Sequence, residues 1–528
     1  MSNNMNNSDS SDKKSIFDES FKKEEHIVKY IHLPESGGAV ESEAAAHHVL
    51  YASFEAVPFF KSGGLGEVAG SLPYFLNGSD FEVRVILPKL SLIPQEYQEK
   101  MVFKTSFTVP LGWRSVYCGL FEMKYKGLTY YFLDNEYYFH RNKAYGEFDD
   151  GERIAYFSKA LLEAIEYMGW RVDILHCNDW HTAMSTVFLR EHYNHLPDFN
   201  RIKTVFTIHN LKFQGQYDDA IMSDILGLSG TPAEPQMSVY NKYGKRDAVN
   251  YLLGAISYSD RITTVSPTYS EEIKTPYFGE NQDAVFRKRA SVLSGIVNGI
   301  DWRVFNPQVD KFIPVQYDVN SIDKKVEDKL AIQKELYLKV DPNIPVFAII
   351  CRLTEQKGLD LVINKLAEME KRAMQLIVLG SGDKKYENAF AYYTWKNPEK
   401  FQARLYFDEG ISHRIYAGAD AVLMPSRFEP CGLSQMIAMQ YGTLPIVRET
   451  GGLKDTVQPY NKYDKSGTGF SFANYSADEL MGAIDNALTV FYNEKADWRK
   501  MQRECMTRDF SWRGPAEQYR ELYRGLLK

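Results

Sequence analysis

Residues 346–358, VFAIICRLTEQKG, contain the pattern that decides the fold of this chain. The five apolar residues Val346–Ile350 predict a buried strand, and the polar loop that follows contains Gly358. A helical pattern comes after this loop. A buried strand that leads through a loop into a helix is the repeating unit of a parallel sheet covered by helices. The stretch therefore predicts an α/β fold.

Similar apolar runs occur in both halves of the chain, and helical patterns such as 152–168 and 182–193 lie between most of them. The predicted strands of the first half are His48–Ser53, Val83–Leu87, Ile174–Cys177, Val205–Ile208 and Ile262–Val265. Those of the second half are Val346–Ile350, Leu376–Leu379, Arg404–Phe407, Ala421–Met424 and Pro445–Val447. Two such series predict two doubly wound, Rossmann-like domains that face a deep cleft.

Three segments do not fit this alternation. Residues 1–46 are rich in Ser, Asn, Lys and Glu, which predicts a mobile N-terminal tail. Residues Arg114–Phe132 alternate in polarity around a Lys-Gly turn, which predicts an antiparallel hairpin inserted in the first half. Residues 511–528 predict an amphipathic helix. We therefore expect the two domains at about 47–293 and 294–507.

The composition excludes several classes of protein. Of the 528 residues, 44% are hydrophobic and 25% are charged, which excludes a mainly disordered or fibrous chain. The net charge of −7 disfavours a nucleic-acid partner, and no apolar run is long enough to predict a membrane span. The five cysteines are far apart and form no CxxC pair, which disfavours a disulfide framework and a structural zinc site. A cytoplasmic enzyme is the simplest expectation, since the chain starts without an apolar leader.

The glycine-rich segment Lys61–Val68, KSGGLGEV, is the first candidate ligand site. Glycines let a ligand approach the backbone closely, and the start of the predicted helix that follows offers free N–H groups to an anion. Lys61 adds a positive charge. The segment lacks GK[ST] and is not a P-loop. A plain glycine turn is the alternative interpretation.

Two further motifs follow predicted strands of the second half. Arg352 and Lys357 are cations five residues apart, and they could hold a diphosphate and stabilise it as a leaving group. The segment Pro425–Ser434, PSRFEPCGLS, opens a helix whose amides near Gly432 can bind phosphate or sugar oxygens. Glu429 in this segment can accept sugar hydroxyls. A solvated cation pair and a capped helix with an acidic first turn are the alternatives.

Polar residues also end two predicted strands of the first half, HCNDWHT at 176–182 and TIHN at 207–210. The HxxxxH spacing suggests zinc, but the segment starts on a strand and lacks HExxH, so we disfavour a metal there. No Asp-x-Asp sequence occurs in the chain, which disfavours a sugar nucleotide held through a metal ion. His209 is better interpreted as a polar ligand for a substrate, with a structural histidine as the alternative.

Together these motifs resemble those of the bacterial glycogen synthases and plant starch synthases, glycosyltransferase family 5. The resemblance runs from about residue 48 to the C-terminus. It rests on KSGGLGEV at 61–68, HCNDWHT at 176–182, TIHN at 207–210, FQG at 213–215, TVSPTYSEEI at 264–273, VNGID at 297–301, CRLTEQKGLD at 351–360 and PSRFEPCGLSQ at 425–435.

The resemblance implies a GT-B fold and the retaining transfer of glucose to the non-reducing-end 4-hydroxyl of an α-1,4-glucan. The donor would be ADP-glucose, with UDP-glucose as the alternative, and the acceptor would be glycogen or a maltooligosaccharide. The resemblance implies no metal and no cofactor. The segment 508–528 would return to complete the first, acceptor-side domain. Domain closure is expected to hinge near 293–297 and 505–511.

The resemblance also implies roles for individual residues. Arg352 and Lys357 would neutralise the diphosphate as it leaves. His209 would contact the donor glucose, and Glu429 would hold its 3- and 4-hydroxyls. These four residues are the catalytic candidates. The nucleotide-sugar candidates are Lys61, Gly63, Gly64, Asp179, Asn210, Asn298, Phe407, Cys431, Gly432, Leu433 and Ser434. Among them, Phe407 would stack on the adenine.

Three residues depart from the family pattern. Ser62 and Glu67 replace the usual Thr and Asp, and Asn178 stands where many bacterial members have His. A catalytically silent binding protein and a phosphorylase of the same fold are the remaining alternatives.

Aromatic residues make up 14% of the chain, which is a high proportion. Tyr137, Tyr138, Phe139 and Tyr145 cluster in a predicted loop of the first domain, in the region that faces the glucan in this family. Aromatic rings stack on sugar rings, so we predict that Tyr137, Tyr138 and Tyr145 bind the acceptor chain. Packing in the core is the alternative.

Overall fold

The structure, a computed structural model, describes residues 47–528 and contains two Rossmann-like α/β domains. Each is built on its own largely parallel sheet and packs a separate hydrophobic core. The predicted fold class is confirmed. The predicted tail, 1–46, lies outside the described residues, and the boundaries at 47–293 and 294–507 remain predictions.

The first domain contains a nine-stranded sheet and a small three-stranded sheet. The strands of the large sheet are β1 (His47–Ala52), β2 (Phe81–Pro88), β3 (Val102–Leu111), β4 (Arg114–Tyr125), β5 (Leu128–Asp134), β6 (Ile174–Asn178), β7 (Lys203–Ile208), β11 (Arg261–Thr264) and β12 (Leu293–Gly295). The small sheet contains β8 (Gln216–Asp218), β9 (Ser238–Tyr240) and β10 (Arg246–Asn250). The large sheet has the order β12-β11-β7-β6-β1-β2-β5-β4-β3, and its strands from β12 to β5 run parallel.

Strands β4 and β5 form the predicted antiparallel hairpin, which extends the sheet at one edge. Its turn residues, Lys126 and Gly127, have φ angles of 48° and 78°, as tight hairpin turns require. Strand β3 pairs with β4 outside the hairpin and is absent from the sequence prediction. Its outer residues are exposed, such as Phe103 at 53%, so it lacks the buried apolar run that marks the parallel strands.

The second domain has six parallel strands in one sheet. These are β13 (Val346–Ile350), β14 (Gln375–Leu379), β15 (Phe401–Arg404), β16 (Ala421–Met424), β17 (Leu444–Arg448) and β18 (Phe470–Phe472), in the order β15-β14-β13-β16-β17-β18. One prediction is wrong here: the strand expected at Arg404–Phe407 lies at Phe401–Arg404. Phe401 is buried in the core, whereas Tyr406 and Phe407 are largely exposed, so the apolar run continues past the end of the strand.

Helices connect most of the strands, as the alternating pattern predicts. They are α1 (Gly64–Leu76), α2 (Gln95–Gln98), α3 (Glu136–Phe139), α4 (Asp150–Ala164), α5 (Ala183–Glu191), α6 (Pro197–Asn200), α7 (Ile221–Asp224), α8 (Ala233–Met237), α9 (Tyr251–Tyr258), α10 (Pro267–Glu272), α11 (Asp283–Lys288), α12 (Lys325–Glu335), α13 (Leu359–Met369), α14 (Lys384–Lys396), α15 (Glu409–Gly418), α16 (Ser434–Gln440), α17 (Gly451–Thr456), α18 (Ala477–Asn493), α19 (Lys495–Thr507) and α20 (Arg513–Leu527). None of the helices within 47–528 has the length and apolar character needed to cross a membrane.

The C-terminal helix α20 packs against the first domain, although α19 packs in the core of the second. Trp512, Tyr519 and Tyr523 are buried in the core of the first domain. The Tyr523 hydroxyl lies 2.6 Å from Nδ1 of His176, a residue of β6. The chain therefore returns to its first domain at its end.

The two segments that cross between the domains are hydrogen-bonded to each other. The backbone N–H of Ile300, on the outgoing crossing, donates to the carbonyl of Phe510 on the returning one at 2.8 Å. Gly299 packs directly against the returning chain, since a Cβ at this position would lie 2.7 Å from the Trp512 nitrogen. The two crossings are thus paired by one parallel β-bridge, between Ile300 and Ser511.

Candidate active site

The motif residues lie on loops at the carboxyl ends of parallel strands in both sheets. Asp179 follows β6 and His209 follows β7, whereas Arg352 follows β13 and Pro425 follows β16. This is the edge at which open α/β sheets bind their ligands.

Contacts between these loops show that the two domains meet at this edge. Asn210 Nδ2 lies 3.4 Å from Gln356 Oε1, and Ser266 Oγ donates to the Pro430 carbonyl at 2.7 Å. In each pair, one residue belongs to the first half of the chain and the other to the second. The motifs of the two domains therefore border one shared site.

Lys61, at the start of the glycine-rich loop, is held in its charged form. Its Nζ lies 2.7 Å from Glu67 Oε1 on α1, and 6.0 Å from the centroid of the Phe407 ring in the second domain. Burial lowers the pKa of Lys61, but the carboxylates of Glu67 and Glu409 outweigh it and raise the pKa overall. Glu67, one of the departures from the family pattern, thus contacts Lys61.

The glycines after Lys61 leave space above the loop. A Cβ added at Gly63 or Gly64 would meet no described atom within 4 Å. A ligand can therefore reach the backbone here, next to the Lys61 ammonium group.

Glu55, which no motif in the sequence marks, supports the glycine-rich loop. Its Oε2 accepts a hydrogen bond from the Ser62 backbone N–H, and its Oε1 accepts one from Ser62 Oγ at 3.0 Å. Burial raises the pKa of Glu55, while the hydrogen bonds from Ser62 lower it. Because Glu55 holds both groups of Ser62, it fixes the position of the loop between Lys61 and Gly63.

Asp179 connects the ends of β6 and β7. Its φ of 56° places it in the left-handed region, which is uncommon for residues other than glycine. Its Oδ1 accepts a hydrogen bond from the His209 backbone N–H at 2.7 Å. Burial raises the pKa of Asp179 to about 7, although hydrogen bonds from the backbones of His209 and Asn210 lower it. The carboxyl group therefore titrates close to neutral pH.

His209 is neutral and oriented by Asn178. Asn178 Nδ2 donates to the Ala52 carbonyl at 2.9 Å, which fixes the amide so that Oδ1 faces His209 Nε2 at 2.9 Å. A carbonyl oxygen only accepts, so Nε2 carries the proton and Nδ1 is the acceptor. Burial lowers the pKa of His209 to about 3. Asn178, a departure from the bacterial pattern, thus sets the tautomer of the histidine.

Glu429 and Lys357 form an ion pair on the second-domain side. Lys357 Nζ lies 2.7 Å from Glu429 Oε2, which also accepts from Ser426 Oγ at 3.0 Å. The other oxygen, Oε1, has no partner within residues 47–528 and can accept from a ligand. Gly358 has a φ of 67°, and a Cβ there would lie 1.9 Å from the Pro425 carbonyl, so glycine is needed to bring the two loops together.

Arg352 differs from Lys357 in having no side-chain partner among residues 47–528. Its side chain is exposed and forms no ion pair or hydrogen bond with the part of the chain that the structure describes. A free guanidinium group offers five donors in a planar arrangement that suits phosphate. The pair predicted from the sequence thus combines an anchored cation with a free one.

The segment around Gly432 brings backbone amides and an unsatisfied oxygen to the same region. Gly432 has a φ of 74°, and Gln435 Nε2 donates to the carbonyls of Cys431 and Gly432 at 3.0 and 2.9 Å, which folds the loop onto the first turn of α16. The Cys431 thiol lies beside the backbone N–H of Asn298. Asn298 Oδ1 is buried without a hydrogen-bond partner among the described residues, so a ligand donor would satisfy it.

The structure places Leu433 and Ser434 at the beginning of α16, as the motif implies. Phe407, three residues beyond the end of β15, is 67% exposed. An exposed ring next to a loop of the opposite domain is available for stacking on a base.

The three tyrosines predicted to bind the acceptor have different environments. Tyr137 is 66% exposed, whereas Tyr138 is 2% exposed and its hydroxyl bonds to Glu152 at 2.5 Å. Tyr145 is half-buried, with its ring 4.6 Å from that of His181. The residues Glu136–Phe139 form helix α3 and not the predicted loop. Acceptor binding stays a prediction, and Tyr137 has the most exposed ring of the three.

Helices α10 and α17 form a second contact between the domains, which no pattern in the sequence predicts. Glu272 Oε1 accepts hydrogen bonds from Thr450 Oγ1 at 2.8 Å and from the Gly451 backbone at 3.0 Å. Thr268 Oγ1 donates to Asp455 at 2.6 Å. Glu272 lies within the motif TVSPTYSEEI, but the pattern gives no sign of its distant partners.

Comparison with known proteins defines the class of enzyme. Residues 48–288 match the family model of the starch synthase catalytic domain, and residues 329–504 match that of glycosyl transferases group 1. The fold is similar to that of sucrose-phosphate synthase from Thermosynechococcus elongatus, with a TM-score of 0.57 and 18% identity over 91% of this chain and 99% of that chain. The protein is thus a GT-B glycosyltransferase.

More similar proteins identify the family. Glycogen synthases from Lachnospira eligens and Clostridium perfringens are 50% and 49% identical over 91% of this chain, and the matches cover 100% and 98% of those proteins. The catalytic domain of starch synthase IV from Arabidopsis thaliana, bound to ADP and acarbose, has a TM-score of 0.83 and 30% identity over 92% of this chain and 100% of that chain. This chain belongs to the glycogen synthase and starch synthase family and is a glucosyltransferase that elongates a glucan, which confirms the resemblance seen in the sequence.

Proposed function

We propose that this enzyme transfers glucose from ADP-glucose to the non-reducing-end 4-hydroxyl of glycogen or a maltooligosaccharide, with retention at the anomeric carbon. The arrangement of Arg352 and Lys357 at the carboxyl end of β13 carries the proposal, since two cations beside the amides of Gly432–Ser434 suit a diphosphate. The related starch synthase IV binds ADP, which supports an adenine nucleotide as donor.

The two cations stabilise the diphosphate as negative charge develops on it. Lys357 is anchored by Glu429, so its position is fixed before the donor binds. Arg352 is free and can form two parallel hydrogen bonds to phosphate oxygens. Lys61 adds a third positive charge from the first domain. Preorganised charges of this kind are among the largest contributions to catalysis.

The neutral polar residues hold the donor glucose. His209 contacts its 6-hydroxyl, and the backbone carbonyl of His209 faces the anomeric carbon. The free Oε1 of Glu429 accepts the 3- and 4-hydroxyls, and Asn298 Oδ1 accepts a further hydroxyl. Asp179 and Asn210 line the same pocket. A sugar has many hydroxyl donors, so acceptors without protein partners fit it well.

Retention follows from attack on the same face that the diphosphate leaves. The bond between the anomeric carbon and the diphosphate oxygen breaks first, and the departing diphosphate takes the proton of the acceptor 4-hydroxyl as the new glycosidic bond forms. Phe407 stacks on the adenine at one end of the site. Tyr137, whose ring is the most exposed of the three tyrosines, contacts the acceptor chain. The scheme assigns no protein nucleophile.

The decisive experiment compares donors with a maltooligosaccharide acceptor and follows product length. We expect a higher kcat/KM with ADP-glucose than with UDP-glucose, and the opposite order would reassign the donor. Arg352→Ala should lower kcat by about 100-fold or more, as loss of one charge-stabilising donor does. Arg372→Ala, which breaks an ion pair with Asp485 just before β14, at the opposite edge of the sheet from the active-site loops, is the matched control. Near-normal turnover in Arg352→Ala would refute the assigned role.

The same proposal places the enzyme in the cytoplasm. All five cysteines, which lie within residues 47–528, are unpaired, as expected for a protein of a reducing compartment. Recovery of the protein in an extracellular or periplasmic fraction of its own cells would contradict this placement.

A further inference from the structure

A cavity in the second domain lies away from the active site and is lined mainly by basic and aromatic residues. Its volume is about 200 Å³. The lining residues are Lys325, Val326, Lys329, Pro342, Asn343, Gly418, Asp420, Phe491, Tyr492, Lys495, Trp498, Arg499 and Gln502. They come from helices α12 and α19, the ends of α15 and α18, and the turns before β13 and β16. These turns lie at the amino ends of the parallel strands, so the cavity is at the opposite edge of the sheet from the active-site loops.

Four cations and one carboxylate line this cavity. Lys325, Lys329, Lys495 and Arg499 carry the positive charges, and Asp420 carries the negative one. Asp420 is engaged by Lys329 at 2.8 Å. The cations of the lining thus outnumber its single carboxylate, which favours an anionic ligand.

The floor of the cavity is a buried ammonium group. Lys325 is 4% exposed, and its Nζ donates to the carbonyls of Tyr416 and Ala417 at 3.1 and 2.6 Å and to Thr443 Oγ1 at 2.7 Å. The two carbonyls belong to the last turn of α15, where a positive charge is stabilised by the helix dipole. All three donors of Lys325 are used, so it contributes charge to the cavity and no direct hydrogen bond.

The groups around Lys325 leave its charge only partly balanced. The pKa of Lys325 is lowered to about 7, chiefly by burial; Asp420 and Asp328 raise it, and the positive charges of Lys329 and Arg499 oppose them. A lysine with a pKa near the pH of the solution would become fully protonated if an anion bound beside it.

Lys495 and Arg499 at the rim of the cavity provide the hydrogen-bond donors that Lys325 cannot offer. Lys495 has no ion-pair or hydrogen-bond partner within residues 47–528, and its side chain is exposed. Arg499 bonds to Asp323 at 2.9 Å, but the Asp323 side chain is 76% exposed and can be displaced. Trp498 is 5% exposed and forms an apolar wall. Ammonium and guanidinium groups above an apolar wall suit a phosphate attached to a small organic group.

We propose that this cavity binds a small phosphate ester or free phosphate. It is smaller than the roughly 300–1,000 Å³ of sites for drug-sized ligands, so a nucleotide sugar does not fit. The phosphate contacts Lys495 and Arg499 at the rim, Lys329 lies deeper, and an organic group packs against Trp498.

Binding of inorganic phosphate and of phenyl phosphate to the full chain tests this proposal. Calorimetric titrations are done with saturating ADP, which occupies the donor site. Lys495→Ala and Arg499→Ala should each weaken binding by about tenfold, as expected for loss of one charge-assisted hydrogen bond. Lys500→Ala removes a neighbouring exposed lysine of α19 that does not line the cavity, and binding should be unchanged. Tighter binding of phenyl phosphate would indicate an ester as the natural ligand, and equal binding would indicate free phosphate.

A second measurement follows the protonation of Lys325. Phenyl phosphate is mainly a dianion at pH 7, so its binding should take up about half a proton as Lys325 becomes fully charged. Titrations in two buffers of different ionisation enthalpy measure this uptake, and it should vanish in Lys325→Met. If Lys325→Met does not fold, the variants of Lys495 and Arg499 decide. The proposal is overturned if neither phosphate compound binds, or if Lys500→Ala weakens binding as much as Lys495→Ala.

Discussion

Replacing Asp179 by asparagine should raise stability and lower activity, and the gain in stability should grow with pH. Burial raises the pKa of this carboxyl group to about 7, against about 3.9 in an unfolded chain. Because the folded-state pKa is the higher one, the folded protein binds the proton more tightly. Ionisation of Asp179 therefore lowers the stability of the wild-type protein. This loss is absent below pH ~4, grows as the pH rises, and is complete above pH ~7.

The size of this effect follows from the two pKa values. A difference of about three units corresponds to about 4 kcal/mol at neutral and alkaline pH. Asparagine keeps one oxygen, which can still accept from the His209 backbone, but its amide nitrogen cannot accept from Asn210. The lost hydrogen bond costs about 1 kcal/mol. The variant should therefore be more stable by about 3 kcal/mol at pH 8 and nearly equal to the wild type at pH 5.

Thermal unfolding at pH 5 and pH 8 measures this difference. For a domain of roughly 150–250 residues, about 3 kcal/mol corresponds to a rise in Tm of roughly 6–12 °C. Asp198→Asn is the matched control, since its side chain is 82% exposed and the change should leave Tm unaltered at either pH. At the same time kcat should fall at least tenfold, because the amide nitrogen displaces the backbone beside His209. An equal Tm difference at both pH values would refute the reasoning.

Three further changes test other parts of the site. Lys357→Met should lower kcat by about 100-fold, since it removes a positive charge that stabilises the leaving diphosphate. Unchanged initial rates at saturating donor would contradict this prediction. Glu55→Gln should raise the donor KM by about tenfold, because Ser62 loses charge-assisted hydrogen bonds worth about 1.5 kcal/mol, with kcat largely kept; a loss confined to kcat would argue against a positioning role. Phe407→Ala should raise the donor KM several-fold through loss of stacking, about 1 kcal/mol, and an equal rise in the maltooligosaccharide KM would show that the ring does not act on the nucleotide.

The sequence predicts the fold well wherever a strand is buried on both faces. The run at Val346–Ile350 is a strand in the structure because continuous apolar residues are stable only when both faces of the strand are buried. Strand β3 is absent from the prediction because its outer face is exposed. The prediction places strand β15 too late in the sequence, because Tyr406 and Phe407 continue the apolar run although their side chains lie outside the core.

The candidate site could be predicted only where its residues are close in sequence. The motifs locate Arg352, Lys357 and Glu429 because each lies on a loop of characteristic composition. Glu55 and Gln356 are missed because their roles depend on partners that folding brings together, and periodicity carries no information on such pairs. The pKa values of the site residues cannot be predicted from the sequence for the same reason, since they depend on burial.

The return of the C-terminal helix to the first domain has a consequence for the order in which the protein is made. The core of the first domain contains Trp512, Tyr519 and Tyr523, which lie within the last 17 residues of the sequence. A ribosome synthesises these residues only after the whole second domain. The first domain, although its synthesis begins earlier, can therefore complete its core only after the whole second domain has been synthesised.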